Sequence, residues 1–582
     1  MTSSTAPNRD FDYVIAGGGS AGCVTAARLS EDPSVRVLLI EAGQDTAPGR
    51  EPPEILSPAP IVIFHGTRYL WPNLRVIPFR GRKGDRFYEQ GRVLGGGSSV
   101  NAQVGNRGIP DDYDEWARLG ADGWRWHDVL PYFRKLERDF DYGDDAQMHG
   151  DKGPIPIYRV PRAEWPEFSV RLAKAVENTG LPDIKDQNGV FEDGHFPPAF
   201  TNENYQRVSA ARAYLPEEVR NRPNLTIVTD SLVTELAFDG TTATGLTYEG
   251  PKGRVHVSAG EVILSLGALQ TPAMLMRAGI GPADVLAKHG IAPRVVLEGV
   301  GKNLRDHPGT HICAVVKPHA RMPKGLVKPG HVAVRFTSTS RTSLPSDLYV
   351  QTGLSSGWHA VGQRVAYFYL WLNKSRSTGE VTLKDTNPRS MPDVRLNLLS
   401  ADGDAERLAD GFRFIARLLR DPEMANVIEE PFAVRFSPFI RFVSQVRRFN
   451  RVMMAVVARV LDGPKWLRDV LTRHVLSNAP SLDRLLNNEE LLIKYLKSHA
   501  MSVSHVSGTC RMGRPDDPGT VVDAEGRVRG TRGLRVIDAS VMPSIPRANT
   551  NLVVMMISEK MCDSIRARSS HGGAAIAQDA NV

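Results

Sequence analysis

A run of closely spaced glycines constrains this chain more than any other feature. Gly17, Gly19 and Gly22 form a G-x-G-x-x-G pattern between an apolar stretch, FDYVIA, and a helical pattern, VTAARLSED. In a strand–turn–helix context each glycine has a task. Gly17 permits the tight turn, Gly19 lets a pyrophosphate approach the backbone, and Gly22 lets the helix pack against the strand. The helix then aims its free N-terminal amides at the phosphates. A second apolar stretch, VRVLLIE, ends at Glu41, where a carboxylate accepts hydrogen bonds from ribose hydroxyls. No Arg follows Glu41 to receive a 2′-phosphate, which argues against NADP. The segment predicts a βαβ unit that binds a dinucleotide. The same turn also matches Gly18-x-Ser20-x-Gly22, a nucleophile elbow. An elbow follows several strands of its sheet and leaves Glu41 without a role, so a hydrolase is disfavoured.

At 582 residues the chain is too long for one core, and its 41% hydrophobic and 24% charged content is that of a globular protein. Its 4 cysteines are scattered without a CxxC pair, which predicts neither a disulfide framework nor a metal site and favours a reducing compartment. No apolar run is long enough for a transmembrane helix, and MTSSTAPNRD lacks the features of a secretory signal, so a cytoplasmic location is expected. The net charge of +7 is matched by one segment, Arg435 to Arg473, which has nine Lys and Arg against two Asp. The remainder is balanced, which excludes a general nucleic-acid binder. Within that segment Phe442, Val446, Phe449, Met453, Val456 and Val460 recur at helical spacing. This stripe is expected to pack on the protein, with the Arg side in solvent. The alternative is peripheral contact with anionic lipid.

Further strands are expected at LTIVTD, GEVILSL and LRVIDAS, and helices at Ala401–Leu419 and Leu552–Ile565. The loop-rich stretch Pro48–Arg86 is long enough to wrap a ligand. The first nine residues and the tail 568–582 are expected to be disordered.

Five further stretches carry a family likeness: VLGGGSSVN, GALQTPAMLMRAGIGP, GVGKNLRDHP, SHVSGTCRMG and VIDASVMPSIPRANTNLVVMMISEK. In this order, after the first turn, they resemble the glucose-methanol-choline oxidoreductases, flavoenzymes that oxidise alcohols. The chain is most similar to the hydroxymethylfurfural- and aryl-alcohol-oxidising members. The resemblance implies an α/β fold, α+β overall. A Rossmann-like FAD domain (10–165, 225–310, 496–567) would interleave with a substrate domain (166–224, 311–495) built on an antiparallel sheet flanked by helices. It implies FAD, with the pyrophosphate on Gly17, Gly19 and Gly22 and the ribose on Glu41. Gly95, Gly96, Ser98 and Asn101 would lie along the flavin and Val233 at the adenine. Asp538 and Ala539 would lie near the ribityl chain, with Asn551 at the pyrimidine edge. Val100 stands where some members carry a flavin-linking His, so noncovalent FAD is expected.

The resemblance makes His505 the base and Asn549 its partner. The chemistry agrees: a neutral imidazole takes the hydroxyl proton while hydride leaves the same carbon, and an amide holds the oxygen without competing for the proton. His307 and His499 read as structural, and Cys510 as a small buried residue. Trp371, in YFYLWL, lines the pocket or fills the sheet core. Ser504 stands where the hydroxymethylfurfural-oxidising group commonly has a bulky aromatic, which implies room for a larger substrate. The expected reaction is oxidation of a primary aryl or allylic alcohol, with O2 reduced to H2O2. The alternative is a dehydrogenase that passes electrons to a quinone. A flavin lyase or light-driven decarboxylase is disfavoured by the His505/Asn549 pair.

Overall fold

In the computed structural model, residues 9–60, 66–81, 84–323, 326, 328, 330–429, 431–435 and 438–578 are described. The expected first βαβ unit forms from Phe11–Ala16, Ser20–Leu29 and Val37–Ile40. Five strands lie parallel in the order Leu225–Val228, Val37–Ile40, Phe11–Ala16, Gly253–Leu264, Leu534–Val536. Val14, Ile15, Val37, Leu39 and Ile263 are fully buried, as befits a parallel sheet covered on both faces. A hairpin, Leu232–Asp239 and Thr242–Gly250, runs antiparallel along the outer half of the long strand Gly253–Leu264.

The second sheet is antiparallel. Its order is Phe432–Ala433, Pro308–Val315, Val365–Leu372, Leu348–Gly353, Ala333–Phe336, Gly194–Phe196, with Met501–Ser502 paired to the start of Pro308–Val315. The chain therefore changes layer just before Pro308 and just after Ser502, not at 310 and 495, because the pairing of Pro308 with Ser502 ties both segments to this sheet. One face packs on the helix Asp404–Leu418, whose Leu408, Phe412 and Ile415 are fully buried. Gly411 has no room for a side chain: a Cβ there would lie 2.8 Å from Leu370. Period-2 alternation decides the two faces of Val365–Leu372. Phe368, Leu370 and Leu372 join that helix core, whereas Tyr367, Tyr369 and Trp371 face the space between the layers.

The basic segment forms three helices, Pro438–Ser444, Arg448–Leu461 and Lys465–Leu471. The expected stripe does not pack as a unit, because the break between Ser444 and Arg448 restarts the helical phase. Asn450, Met454, Ala458 and Leu461 are buried instead, while Phe449 and Val456 are exposed. The C-terminal helix extends from Thr550 to Gln578, so residues 568–578, expected to be disordered, are helical. Once the buried turns have nucleated the helix, adding residues requires only propagation. Residues 579–582 and 1–8 lie outside the described residues.

That C-terminal helix is pinned to the first helix by a buried carboxylate. Glu559, fully buried, accepts from Arg28 at 2.7 Å and from the Tyr214 hydroxyl at 2.9 Å, and lies 3.1 Å from Lys135 Nζ. Removing Glu559 leaves Arg28 with Glu31 and Lys135 with Asp563, but strips the buried Tyr214 hydroxyl of its acceptor, at a cost of about 1–3 kcal/mol. Glu559→Ala is therefore expected to lower the urea midpoint clearly. Adding Tyr214→Phe should restore part of the loss, a recovery that independent surface residues would not give.

Candidate active site

The layers enclose a cavity of about 1680 Å³. Its lining brings together Glu41 and Val233, the glycines Gly17, Gly19 and Gly96, and Asp538, Ala539, His505 and Asn549. The sequence brings these residues together from both ends of the chain because the first and last parallel strands both flank Gly253–Leu264. Ala59, Pro60, Trp71 and Arg86 also line the space, so the long Pro48–Arg86 stretch does wrap it.

Glu41 accepts from the backbone N–H of Gly18 at 2.9 Å and of Gly43 at 2.7 Å. Burial pushes its carboxyl up to about 7, against those two donors. Each carboxylate oxygen keeps lone-pair capacity, and hydroxyl donors from a ribose would favour the charged form. Gly22 lies beneath the turn rather than in the cavity: a Cβ there would sit 1.9 Å from the Gly17 carbonyl oxygen. Gly96 approaches Gly19 so closely that its Cβ would lie 2.7 Å from the Gly19 Cα. These two glycine loops form the narrow waist that a pyrophosphate requires.

Not every expected cofactor residue faces the space. Gly95 and Ser98 do not line it, because the single turn Gly96–Ser99 directs them inward. Ser98 Oγ donates to the Gly95 carbonyl at 2.5 Å and accepts from the Ala210 N–H at 2.9 Å, holding the loop to a neighbouring helix. Gly97 lines the space in their place. Asn101 does line it, but its Oδ1 accepts from Arg207 at 2.8 Å and the Gln103 N–H at 2.9 Å. Val100 is also at the wall, and no nucleophile stands there to tether a flavin.

Near the Gly17 turn Asp538 accepts from the Gly267 N–H at 2.9 Å and the Thr271 hydroxyl at 2.6 Å. Asn551 accepts from the Ser20 hydroxyl at 2.9 Å, while its buried Nδ2 has no protein partner. A buried donor left open on a cavity wall at a helix start suits a flavin pyrimidine carbonyl. Together with the glycine waist and the acidic strand end, this donor makes the cavity fit FAD.

His505 and Asn549 meet beside it. Asn549 Nδ2 lies 3.1 Å from His505 Nε2, and the amide Oδ1 has no protein partner. On the other side of the ring, His505 Nδ1 lies 2.9 Å from His307 Nδ1. Such a contact holds only one proton. An amide nitrogen can only donate, so Nε2 is the acceptor and His505 carries its proton on Nδ1, donated to His307. Burial pushes the His505 imidazole down to about 3, so the ring is a neutral acceptor at ordinary pH. Asp306 fixes both residues: its Oδ1 accepts the backbone N–H of His307 at 2.7 Å and of His505 at 3.0 Å. Sequence reading treated His307 as structural and gave Asp306 no role. The signal for both was their place in GVGKNLRDHP, a motif otherwise left without a task.

Ser504 lines the cavity in a left-handed conformation, φ 66°, with its N–H donating to Ser502 Oγ at 2.9 Å. Trp371 both fills the sheet and walls the space. Its ring stacks on Tyr349 at 4.6 Å and meets His505 edge-on at 6.3 Å, and its N–H donates to Asn373.

Comparison with known proteins agrees with this geometry. The N-terminal and C-terminal models of the GMC oxidoreductase family match residues 11–309 and 375–558. The chain is 44% identical to a 5-(hydroxymethyl)furfural oxidase of Methylovorus sp. (strain MP688), over 95% of this chain and 98% of that protein. It is 32% identical to an oxygen-dependent choline dehydrogenase of Staphylococcus haemolyticus (strain JCSC1435), over 96% and 94%. Among solved structures, the pyridoxine 4-oxidase from Mesorbium loti superposes with a TM-score of 0.80 at 28% identity, over 96% of this chain and 99% of that one. The chain belongs to the GMC oxidoreductase family.

Proposed function

We propose that the protein is an FAD-dependent alcohol oxidase that converts a primary aryl or allylic alcohol to the aldehyde, with His505 as the base. The observation that carries this reading is the neutral His505 Nε2 held beside Asn549 on the wall of a cavity that fits FAD. FAD, held by the glycine turn and Glu41, would supply the hydride acceptor and the route of the electron pair to dioxygen. His505 Nε2 takes the hydroxyl proton, and the new charge on the ring is shared through Nδ1–H with His307. Asn549 Nδ2–H, 3.1 Å from Nε2, is placed to turn to the substrate oxygen as the hydroxyl proton takes the Nε2 lone pair, so the amide holds the oxygen without competing for the proton. Tyr367, Tyr369 and Trp371 form an aromatic wall that suits an unsaturated substrate and keeps water from the reacting oxygen. With Ser504 in place of a bulky residue, alcohols larger than a furan are expected to fit. The 5-(hydroxymethyl)furfural oxidase relative supports O2 as the acceptor over a quinone.

His505→Ala is expected to lower the rate of anaerobic flavin reduction on the order of 10²–10⁴-fold. The flavin absorbance of the purified variant should be unchanged. Full turnover by that variant would remove His505 from the chemistry.

With the imidazole pKa pushed down to about 3, the accepting form dominates well below neutrality. Between about pH 9 and pH 7, above the raised carboxyls of Glu41 and Asp306, kcat/KM should stay level. A loss in that range, where the ring is already neutral, would contradict the buried, neutral His505. Turnover in air should yield one H2O2 per aldehyde; dye reduction under argon without peroxide in air would favour the quinone-linked alternative. Among furfuryl, benzyl and cinnamyl alcohols, kcat/KM is expected to be lowest for furfuryl.

A further inference from the structure

Eight of the fourteen exposed large hydrophobic residues among those described fall between Phe439 and Val475, seven of them in the three basic helices. A surface with apolar side chains scattered singly needs no explanation, but this one is concentrated. Phe449, Val452 and Val456 are 65%, 67% and 59% exposed, and Trp466 on the next helix is 68% exposed. At 100° per residue, Arg448, Val452, Val456 and Arg459 fall on the side of Arg448–Leu461 opposite the buried Asn450, Met454 and Leu461. Apolar and cationic side chains therefore share one outward ridge.

Among the described residues Arg448 and Arg459 on that ridge form no ion pair, nor do Arg451, whose guanidinium lies over the Trp358 ring, and Arg473 beyond it, whereas the nearby acids are engaged. Asp462 holds Arg321 and Arg364, Asp469 holds Lys465, and Glu429 holds Arg468. A second copy of the chain would bring an equally cationic face to this one, so self-association through it is opposed by charge. An anionic bilayer meets both demands: it neutralises the Arg side chains and takes up Phe449, Val452, Val456 and Trp466 at the headgroup boundary.

The opposite sides of the same helices wall the active-site cavity. Met454 and Val457 line it from Arg448–Leu461, and Phe439, Val443 and Ser444 from Pro438–Ser444. One element thus separates the cavity from the outward ridge. We propose that the helices spanning 438–471 dock the enzyme on an anionic membrane surface, with this helical layer alone between the bilayer and the cavity. Resting on the alcohol-oxidase reading, the substrate is then a primary alcohol that partitions into lipid.

The test uses the full-length FAD-loaded enzyme and vesicles of phosphatidylcholine with or without phosphatidylglycerol. At low salt the enzyme should co-sediment with the anionic vesicles only. Arg448→Gln with Arg459→Gln should weaken that partition about 30-fold, at roughly fivefold per cation. Val452→Asp with Val456→Asp should abolish it. Both variants change exposed residues outside the cavity wall, so turnover of water-soluble benzyl alcohol should be unaffected and certifies the fold. With a long-chain allylic alcohol, anionic vesicles should raise the wild-type kcat/KM and leave the Val452→Asp/Val456→Asp variant unchanged. No binding to anionic vesicles, or equal binding by the variants, would overturn the docking. A lipid-free dimer dispersed by Val452→Asp/Val456→Asp would assign the ridge to a second copy instead. Vesicle binding without turnover of any alcohol would fault the oxidase reading and leave the docking intact.

Discussion

The packing of Gly22 against Gly17 is the contact on which the rest depends. No side chain fits there, since a Cβ would fall 1.9 Å from a carbonyl oxygen. That absence lets the first helix start directly over the strand Phe11–Ala16, with its free amides above the waist of the cavity. The same helix then receives the C-terminal helix through Arg28 and Glu559. Because the C-terminal helix begins at Thr550, this packing also fixes Asn549 and Asn551. A turn at residue 17 thus positions Asn549 and Asn551, more than five hundred residues later in the chain.

The second sheet contributes the other half of the reacting end by pairing rather than by packing. Pro308 opposite Ser502 brings the segment after Arg305 alongside the segment before His505. Asp306 exploits that proximity by taking the backbone N–H of His307 and of His505 on one oxygen. Burial raises its carboxyl to about 6, against those two N–H donors and a hydroxyl from Ser502. Asp306 thereby orients both imidazoles through the backbone, while the His505 tautomer follows from its ring contacts with His307 and Asn549. In a dry site, a ring proton on the wrong nitrogen would leave no acceptor for the hydroxyl.

Much of this was legible in the sequence because it is local. The glycine turn, the acidic strand end and the apolar strands each declare themselves within a few residues, and the family motifs extend that reading to His505 and Asn549. What was not legible depends on long-range phase and facing. Gly95 and Ser98 belong to the right loop, but a single tight turn decides which of its residues face the cavity, and composition does not encode that. Trp371 could not be assigned to wall or core from its strand alone, and it serves both because the strand is central and the cavity abuts it. The basic segment read as one helix with one stripe. The break after Ser444 changed the phase, so residues expected inside came out.

That change of phase carries a physical consequence. Exposing Phe449, Val452 and Val456 forgoes the stabilisation their burial would give, about 1.5 kcal/mol or more for each. Meanwhile Asn450 occupies the buried side, where its amide nitrogen donates to the Phe442 and Gln445 carbonyls, at 2.7 and 3.0 Å, and its Oδ1 has no partner. Those two bonds stitch the break between the first two helices and lock the rotation of the second. The register is therefore held by a specific polar contact against the apolar preference of the sequence. Such an arrangement is stable only if the outward apolar ridge is matched by its surroundings, and the uncommitted Arg side chains beside it define what those surroundings must carry: negative charge over an apolar layer.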